Sequence, residues 1–257
     1  MATGLALGAA LLVALFFAPA PLWVGLMAGV AIAGAWEWGG LMRLSAARRR
    51  AYAAATALLV GLLVAYETQR TVWAYLPSVL FWSVFAPLWL AHAWHLRQPL
   101  AGALVGWLLL LPATLAMIQL RALGPELLLA VVGMVVVADT AAYFTGRSLG
   151  RHKLAPLVSP GKTWEGFLGA AVAVGLYALL LSLTWPQRFA PPTQFLAAAW
   201  LLFLLSVLGD LFESWMKREA SVKDSGRLLP GHGGVLDRID SHLAVLPAAT
   251  LYWMWLH

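Results

Sequence analysis

The feature that most restricts this chain is a succession of apolar runs, each close to the length of a bilayer crossing. They cover residues 4–18, 22–42, 51–66, 72–93, 100–120, 126–144, 166–184, 193–212 and 235–256. A helix needs about 20 apolar residues to cross the hydrocarbon layer. The chain is therefore expected to be all-α, a polytopic integral membrane protein with about nine transmembrane or re-entrant helices. Its first and third runs are short for a full crossing and are the candidates for re-entrant or weakly tilted segments. Charge supports this reading, since only 11% of the 257 residues are charged and 62% are hydrophobic. A soluble domain uses roughly 25% charged residues to cover its surface, so no water-facing shell can be built here.

The basic residues fix an orientation. Arg43, Arg48, Arg49 and Arg50 follow the second run and Arg97 the fourth. Arg147, Arg151, Lys153 and Lys162 follow the sixth, and Lys217, Arg218, Lys223 and Arg227 the eighth. The alternate connections hold only Arg70, Arg121 and Arg188. By the positive-inside rule the N-terminus and the even-numbered connections face the cytoplasm. The net charge of +6 is thereby explained by topology, and nucleic acid is not expected as a partner, because it needs a basic face on a water-exposed fold. The first run has no basic stretch before it and ends among Pro19 and Pro21, so it reads as a membrane helix and not as a cleaved leader. With no cysteine in the sequence, disulfides, thiolate metal ligands and a cysteine nucleophile are excluded.

Chemistry concentrates in the second half. Asp139 falls near the end of the sixth run, Asp210 and Glu213 near the end of the eighth, and Asp237 and Asp240 near the start of the ninth. A charge at bilayer depth costs at least about 2.5 kcal/mol, so these acids call for cations. Asp210, Glu213 and Ser214 share one helical face, as do Asp237, Asp240 and Ser241. Carboxylates without cysteine favour a hard ion, Mg2+ above all. Ion pairs with Lys217, Arg218 and Arg238 satisfy the same spacing equally well. In the first half Glu37, flanked by Trp36 and Trp38, is the one acid within a run; it either lines a polar cavity or faces the interface.

Two connections look built for phosphate. The first runs from Gly146-Arg147 through Lys153 to Lys162-Thr163-Trp164-Glu165-Gly166, and the second from Lys217 to Gly234. Glycines let backbone amides approach an anion that basic side chains neutralise. Gly161-Lys162-Thr163 is not a P-loop, because Pro156 stands where its first glycine is required. Glycine-softened cytoplasmic loops would also account for the arginines, though not for the intervening acids.

The second connection resembles the phosphatidate cytidylyltransferase family. The resemblance is carried by Ser214-Trp215-Met216-Lys217-Arg218, by Lys223-Asp224-Ser225-Gly226, and by Gly231-His232-Gly233-Gly234-Val235-Leu236-Asp237-Arg238-Ile239-Asp240. It extends upstream to Asp139 through Gly146, Gly150 and the Lys162–Gly166 stretch. It implies a single membrane domain over residues 1–257, with helices of unassigned role in 1–125 and catalytic helices with two cytoplasmic phosphate-binding loops in 126–257. It further implies Mg2+-dependent transfer of CMP from CTP to phosphatidic acid, giving CDP-diacylglycerol and pyrophosphate for phospholipid biosynthesis. Asp210 and Asp237 would hold the metal, joined by a second cation such as K+. Lys217, Arg218, Lys223 and Arg238 would bind phosphates beside them. Arg147, Lys162, Thr163, Ser214, His232, Gly233 and Gly234 would bind substrate, with Asp139, Glu165, Glu213, Asp224 and Asp240 in support. A homodimer in the inner membrane, its site facing the cytoplasm, completes the expectation. The rivals are a CTP-dependent polyprenol or dolichol kinase and, further off, a transporter.

Overall fold

A computed structural model describes residues 2–66, 72–96, 98–189, 191–229, 231 and 233–256. Among them nine helices form: α1 (Ala2–Phe17), α2 (Ala20–Leu41), α3 (Ala46–Tyr66) and α4 (Val72–His92), then α5 (Pro99–Leu123), α6 (Pro125–Leu149), α7 (Trp164–Thr184), α8 (Pro192–Glu219) and α9 (Leu236–Leu256). The helix starts are written in the sequence. Proline stands in the first turn of α2, α5, α6 and α8, where its missing N–H is no loss. Thr163 caps α7, its Oγ1 accepting from Gly166 N at 3.1 Å. A π-turn interrupts α4 at Phe81–Phe85, and Pro112 and Pro247 lie inside α5 and α9.

Seven of these helices, α2 through α8, are long and apolar enough to cross a membrane, so the chain is a multi-pass membrane protein. At 1.5 Å per residue, the 28 residues of α8 and the 25 of α6 outrun the roughly 30 Å hydrocarbon core. This alters two expectations. Arg147 stands on α6 and Lys217 and Arg218 stand on α8, not on loops, because the helices continue past their apolar stretches. Likewise α3 begins at Ala46 and has 21 residues, long enough to cross, its first turns taking up Arg48, Arg49 and Arg50. The first run remains short, at 16 residues in α1.

The connection from α6 to α7 is a two-stranded antiparallel hairpin, β1 (Lys153–Ala155) with β2 (Ser159–Thr163), rather than an open glycine loop. With an isolated antiparallel bridge between Leu229 and Gly233, it is the departure from an all-α fold among the described residues.

The helices pack as neighbours in a bundle: α6 along α7, α7 along α8, α8 along α9, and α9 against α5, which in turn carries α2 and α3. Trp38, Trp82, Leu109, Leu110, Phe212 and Met216 fill its interior. Their polar edges are satisfied by helix carbonyls, Trp38 Nε1 donating to Gly102 O at 2.8 Å and Trp82 Nε1 to Leu243 O at 3.0 Å. One close approach bears directly on the site. A Cβ at Gly209 would stand 2.6 Å from the carbonyl oxygen of Asp240. Glycine there lets α8 and α9 cross in contact, bringing Asp210 beside Asp240.

Candidate active site

Two lysine–aspartate pairs stand at the crossing of α8 and α9, one joining the hairpin to α8 and the other joining α8 to α9. Lys162, delivered by β2, places its Nζ 2.6 Å from Asp210 Oδ2. Asp210 Oδ1 accepts from Ser214 Oγ at 3.2 Å, one turn further along α8. The second pair is more enclosed. Lys217 Nζ stands 2.7 Å from Asp237 Oδ1 and also contacts Glu213, its i−4 neighbour. Asp237 Oδ2 accepts from Gly234 N at 2.8 Å and from the backbone N and Oγ of Ser225, both at 3.0 Å. Asp237 thus caps the start of its own helix, where carboxylates are favoured by unsatisfied amides and the helix dipole. Glu213 is buried, and its Oε1 has no hydrogen-bond partner among the described residues.

Asp210 opens onto a cavity of about 540 Å³ between α6, the hairpin, α7 and α8. Its lining combines the charged side chains Asp139, Arg147, Lys162 and Asp210 with the apolar ones of Ala138, Phe167, Ala170, Phe203 and Val207. Asp139, Asp210 and Asp240 are close enough to act on one another electrostatically, with Lys162 and Arg238 acting on Asp139 in the opposite sense. Three carboxylates that repel each other beside an open space make a strong attractor for cations.

The sequence expected Asp210 and Asp237 to face one another over a shared ion. In the structure each is bonded to its own lysine, and among the described residues no three acids or histidines converge in a metal-holding group. Ion pairs with Lys217 were the expectation's rival, and that lysine does bind Asp237 and Glu213. Arg218 is instead drawn to the hairpin turn, Nε to Val158 O at 3.3 Å.

Other expected residues have local duties. The Thr163 hydroxyl is taken by the α7 cap although the residue also lines the cavity. Glu165 accepts from the His152 backbone N at 3.3 Å and meets its Nδ1 at 2.7 Å, fastening the hairpin to α7. Arg147 Nη1 donates to Tyr143 OH at 2.8 Å at the cavity wall. Gly233, at φ +78, takes a left-handed conformation that glycine alone adopts freely. Gly234 spends its amide on Asp237, while Lys223, Asp224 and Arg238 are exposed. His232, like Arg70 and Arg97, lies outside the described residues.

Sequence reasoning left Glu37 undecided, and the structure buries it beneath the loop that carries Ser225 and Gly234. Its Oε2 accepts from Leu236 N at 2.8 Å and from Ser225 Oγ at 3.2 Å. The signal for it was a lone acid inside an otherwise apolar helix. Ser225 stood within the Lys223–Gly226 stretch of the resemblance but was given no role, because a serine in a polar loop carries no such signal.

The sequence profile of the cytidylyltransferase family matches residues 1–256. A phosphatidate cytidylyltransferase of Pseudomonas aeruginosa is 38% identical over 228 residues, which is 86% of this chain and 83% of that protein. The Haemophilus influenzae protein of that name is 39% identical over 173 residues, 62% of this chain and 59% of its own length. The Brucella suis one is 52% identical over 116 residues, 44% of this chain and 41% of its own.

Proposed function

This chain belongs to the cytidylyltransferase family, and on that premise we propose that it joins the CMP moiety of CTP to phosphatidic acid. A phosphate oxygen of phosphatidate attacks the α-phosphorus of CTP. The bond from that phosphorus to the bridging oxygen breaks, and CDP-diacylglycerol and pyrophosphate result. The observation that carries the reading is a cavity lined by both charged and apolar side chains. Arg147 and Lys162 suit a phosphate headgroup, while Phe167, Phe203 and Val207 suit the start of acyl chains.

No general base is needed, because phosphatidate's phosphate is already an anion. The barrier is the meeting of two polyanions and the charge gathered on the departing pyrophosphate. Lys162 and Arg147 hold and orient the lipid phosphate, whereas Lys217, Arg218, Lys223 and Arg238 supply positive charge to the triphosphate. Ser214 fixes the rotamer of Asp210. Phe167 and Phe203 line the cavity and lower its affinity for water.

Mg2+ fits this donor set. All its candidate ligands are hard carboxylate oxygens, Asp210 keeps a free lone pair on each oxygen beside Lys162 and Ser214, and Glu213 has a buried oxygen without a hydrogen-bond partner among the described residues. Asp210 and Asp237 are the proposed ligands, with Glu213, Asp139 and Asp240 in support and a second cation such as K+ beside them. Mg2+ typically takes one or two carboxylates and completes its shell with substrate phosphates and water. When bound it supplies charge neutralisation at the transferring phosphoryl group.

The site is proposed to face the cytoplasm from a multi-pass protein of the inner membrane. Arg43, Arg48, Arg49, Arg50, Lys153 and Arg218 lie at the same end as the acids, as the positive-inside rule requires. The resemblance in the Asp139 to Asp240 stretch extends the proposal to a homodimer and to 126–257 as the catalytic part of one domain.

The test uses purified protein in mixed micelles with phosphatidate and CTP labelled at either the α- or the γ-phosphorus. The α-label is expected in lipid, with the signal lost on chelation and restored by Mg2+. Lipid labelled only from γ-labelled CTP would replace this reading with a lipid kinase.

A further inference from the structure

Glu37 reaches the site from the other half of the chain, and none of the steps above uses it. It stands near the end of α2, only 1% exposed. No basic side chain pairs with it among the ion pairs of the described residues. A carboxylate in such a place costs free energy unless its oxygens are engaged. One oxygen is engaged with the start of α9. Leu236 is the first residue of that helix, and its amide, lacking an intrahelical acceptor, donates to Glu37 Oε2 at 2.8 Å. The loop before α9 closes over the same carboxylate, for a side chain at either Gly226 or Gly234 would collide with it.

The neighbour of Leu236 is Asp237, and the two acids share a serine. Ser225 Oγ stands 3.2 Å from Glu37 Oε2 and 3.0 Å from Asp237 Oδ2. A hydroxyl has one hydrogen to give, so Glu37 and Asp237 compete for it.

We propose that Glu37 is a positioning residue for Asp237, setting the direction of that carboxylate by capping α9 and by sharing the Ser225 hydroxyl. The inference rests on the reading of Asp237 as part of the transfer machinery. Without Glu37 the Leu236 amide loses its acceptor, and Ser225, Gly226 and Gly234 lose the side chain they close over. A misplacement of about 1 Å at a reacting centre lowers turnover on the order of 100-fold. CTP, held by several basic side chains, still binds.

The experiment measures kcat and KM for CTP in the full chain carrying Glu37→Leu, Glu37→Gln, Glu37→Asp, Ser225→Ala, and Glu37→Leu with Ser225→Ala. It is paired with hydrogen exchange of the 225–237 peptide. Glu37→Leu is expected to lower kcat on the order of 100-fold with KM for CTP little changed. Glu37→Gln, whose amide oxygen still accepts from Leu236, recovers most of the rate. The double variant loses no more than the worse single one, as coupled residues do, and exchange in the 225–237 peptide speeds up in Glu37→Leu. A folded Glu37→Leu with wild-type kcat, additive losses in the double variant, or a Glu37→Gln as slow as Glu37→Leu would each overturn the proposal. If Glu37→Leu does not fold, Glu37→Asp decides: its shorter reach should lower kcat with KM unchanged, and an unchanged kcat refutes the role. A wild-type protein that transfers no CMP would sink the transferase reading, while the exchange data would still report whether Glu37 holds the loop.

Discussion

The two ends of this helical bundle use charge in opposite ways. At the end where α1 and α5 stop, Arg121 Nε donates to Leu15 O at 2.8 Å, and its Nη2 donates to Ala14 O and Ala18 O. Its guanidinium also stands 4.9 Å from the Trp23 ring centroid. Nearby, Arg188 lies 2.6 Å from Glu126. Among the described residues Arg121, Arg188 and Glu126 each have a local partner there, and Arg121 satisfies carbonyls that a helix end leaves open. At the other end Asp139, Asp210 and Asp240 repel one another, Lys217 serves two acids, and an open cavity adjoins the group. Charges that hold a fold together have their partners within the chain. Charges that act on a ligand are left in surplus, shared, and next to space.

The sharpest way to break that contrast is to neutralise the surplus. Asp210→Asn and Asp237→Asn keep the side-chain shape and should each lower kcat/KM on the order of a thousand-fold, the scale of several kcal/mol in metal and phosphate contacts. Thermal unfolding in detergent should show Asp210→Asn folded as before. Turnover near wild type in either variant would return these acids to structural ion pairs.

The two lysines should separate next. Lys217 has a side chain 16% exposed and faces Glu213 and Asp237, at 5% and 7%. Removing one member of a pair so enclosed costs about 3–5 kcal/mol, so Lys217→Ala is expected to lose both stability and activity. Lys162 and Asp210 are more open, at 23% and 31%, where a pair contributes about 1 kcal/mol or less. Lys162→Ala should therefore unfold at nearly the wild-type temperature while losing activity on the order of 100-fold, as expected for a missing phosphate contact. Equal unfolding temperatures for the two variants would contradict the difference in enclosure.

The sequence carried the bundle well and the site only in part, for a physical reason. Apolar runs report helices because a bilayer core demands them, and all nine runs correspond to helices among the described residues. They understate helix length, because α6 and α8 continue past their apolar stretches on polar residues such as Arg147 and Lys217 that hydropathy cannot count as helix. The acids were legible since a carboxylate inside an apolar helix is costly wherever it points. Their pairing was not. Lys162 reaches Asp210 only through a hairpin whose strands, Lys153–Ala155 and Ser159–Thr163, are too short for a periodic signal. The contact between Glu37 and Leu236 joins residues 199 positions apart, with nothing local to announce it.

The smallest effects are expected at the opposite end, and there activity and stability should part company. Arg121→Ala frees the carbonyls of Ala14, Leu15 and Ala18 and bares one face of Trp23. Hydrogen bonds to a charged group contribute about 1.5–3 kcal/mol, so the unfolding temperature should fall by a measurable amount, with kcat per folded molecule unchanged. Arg188→Ala removes a pair in which the arginine is 47% exposed and Glu126 25%, worth about 0–1 kcal/mol, so its unfolding temperature should scarcely move. A loss of kcat in either variant at full folding would mean that this end is coupled to the transfer site. The simplest route for such coupling is α9, which packs against α5 and α6 and begins at Leu236, whose amide donates to Glu37.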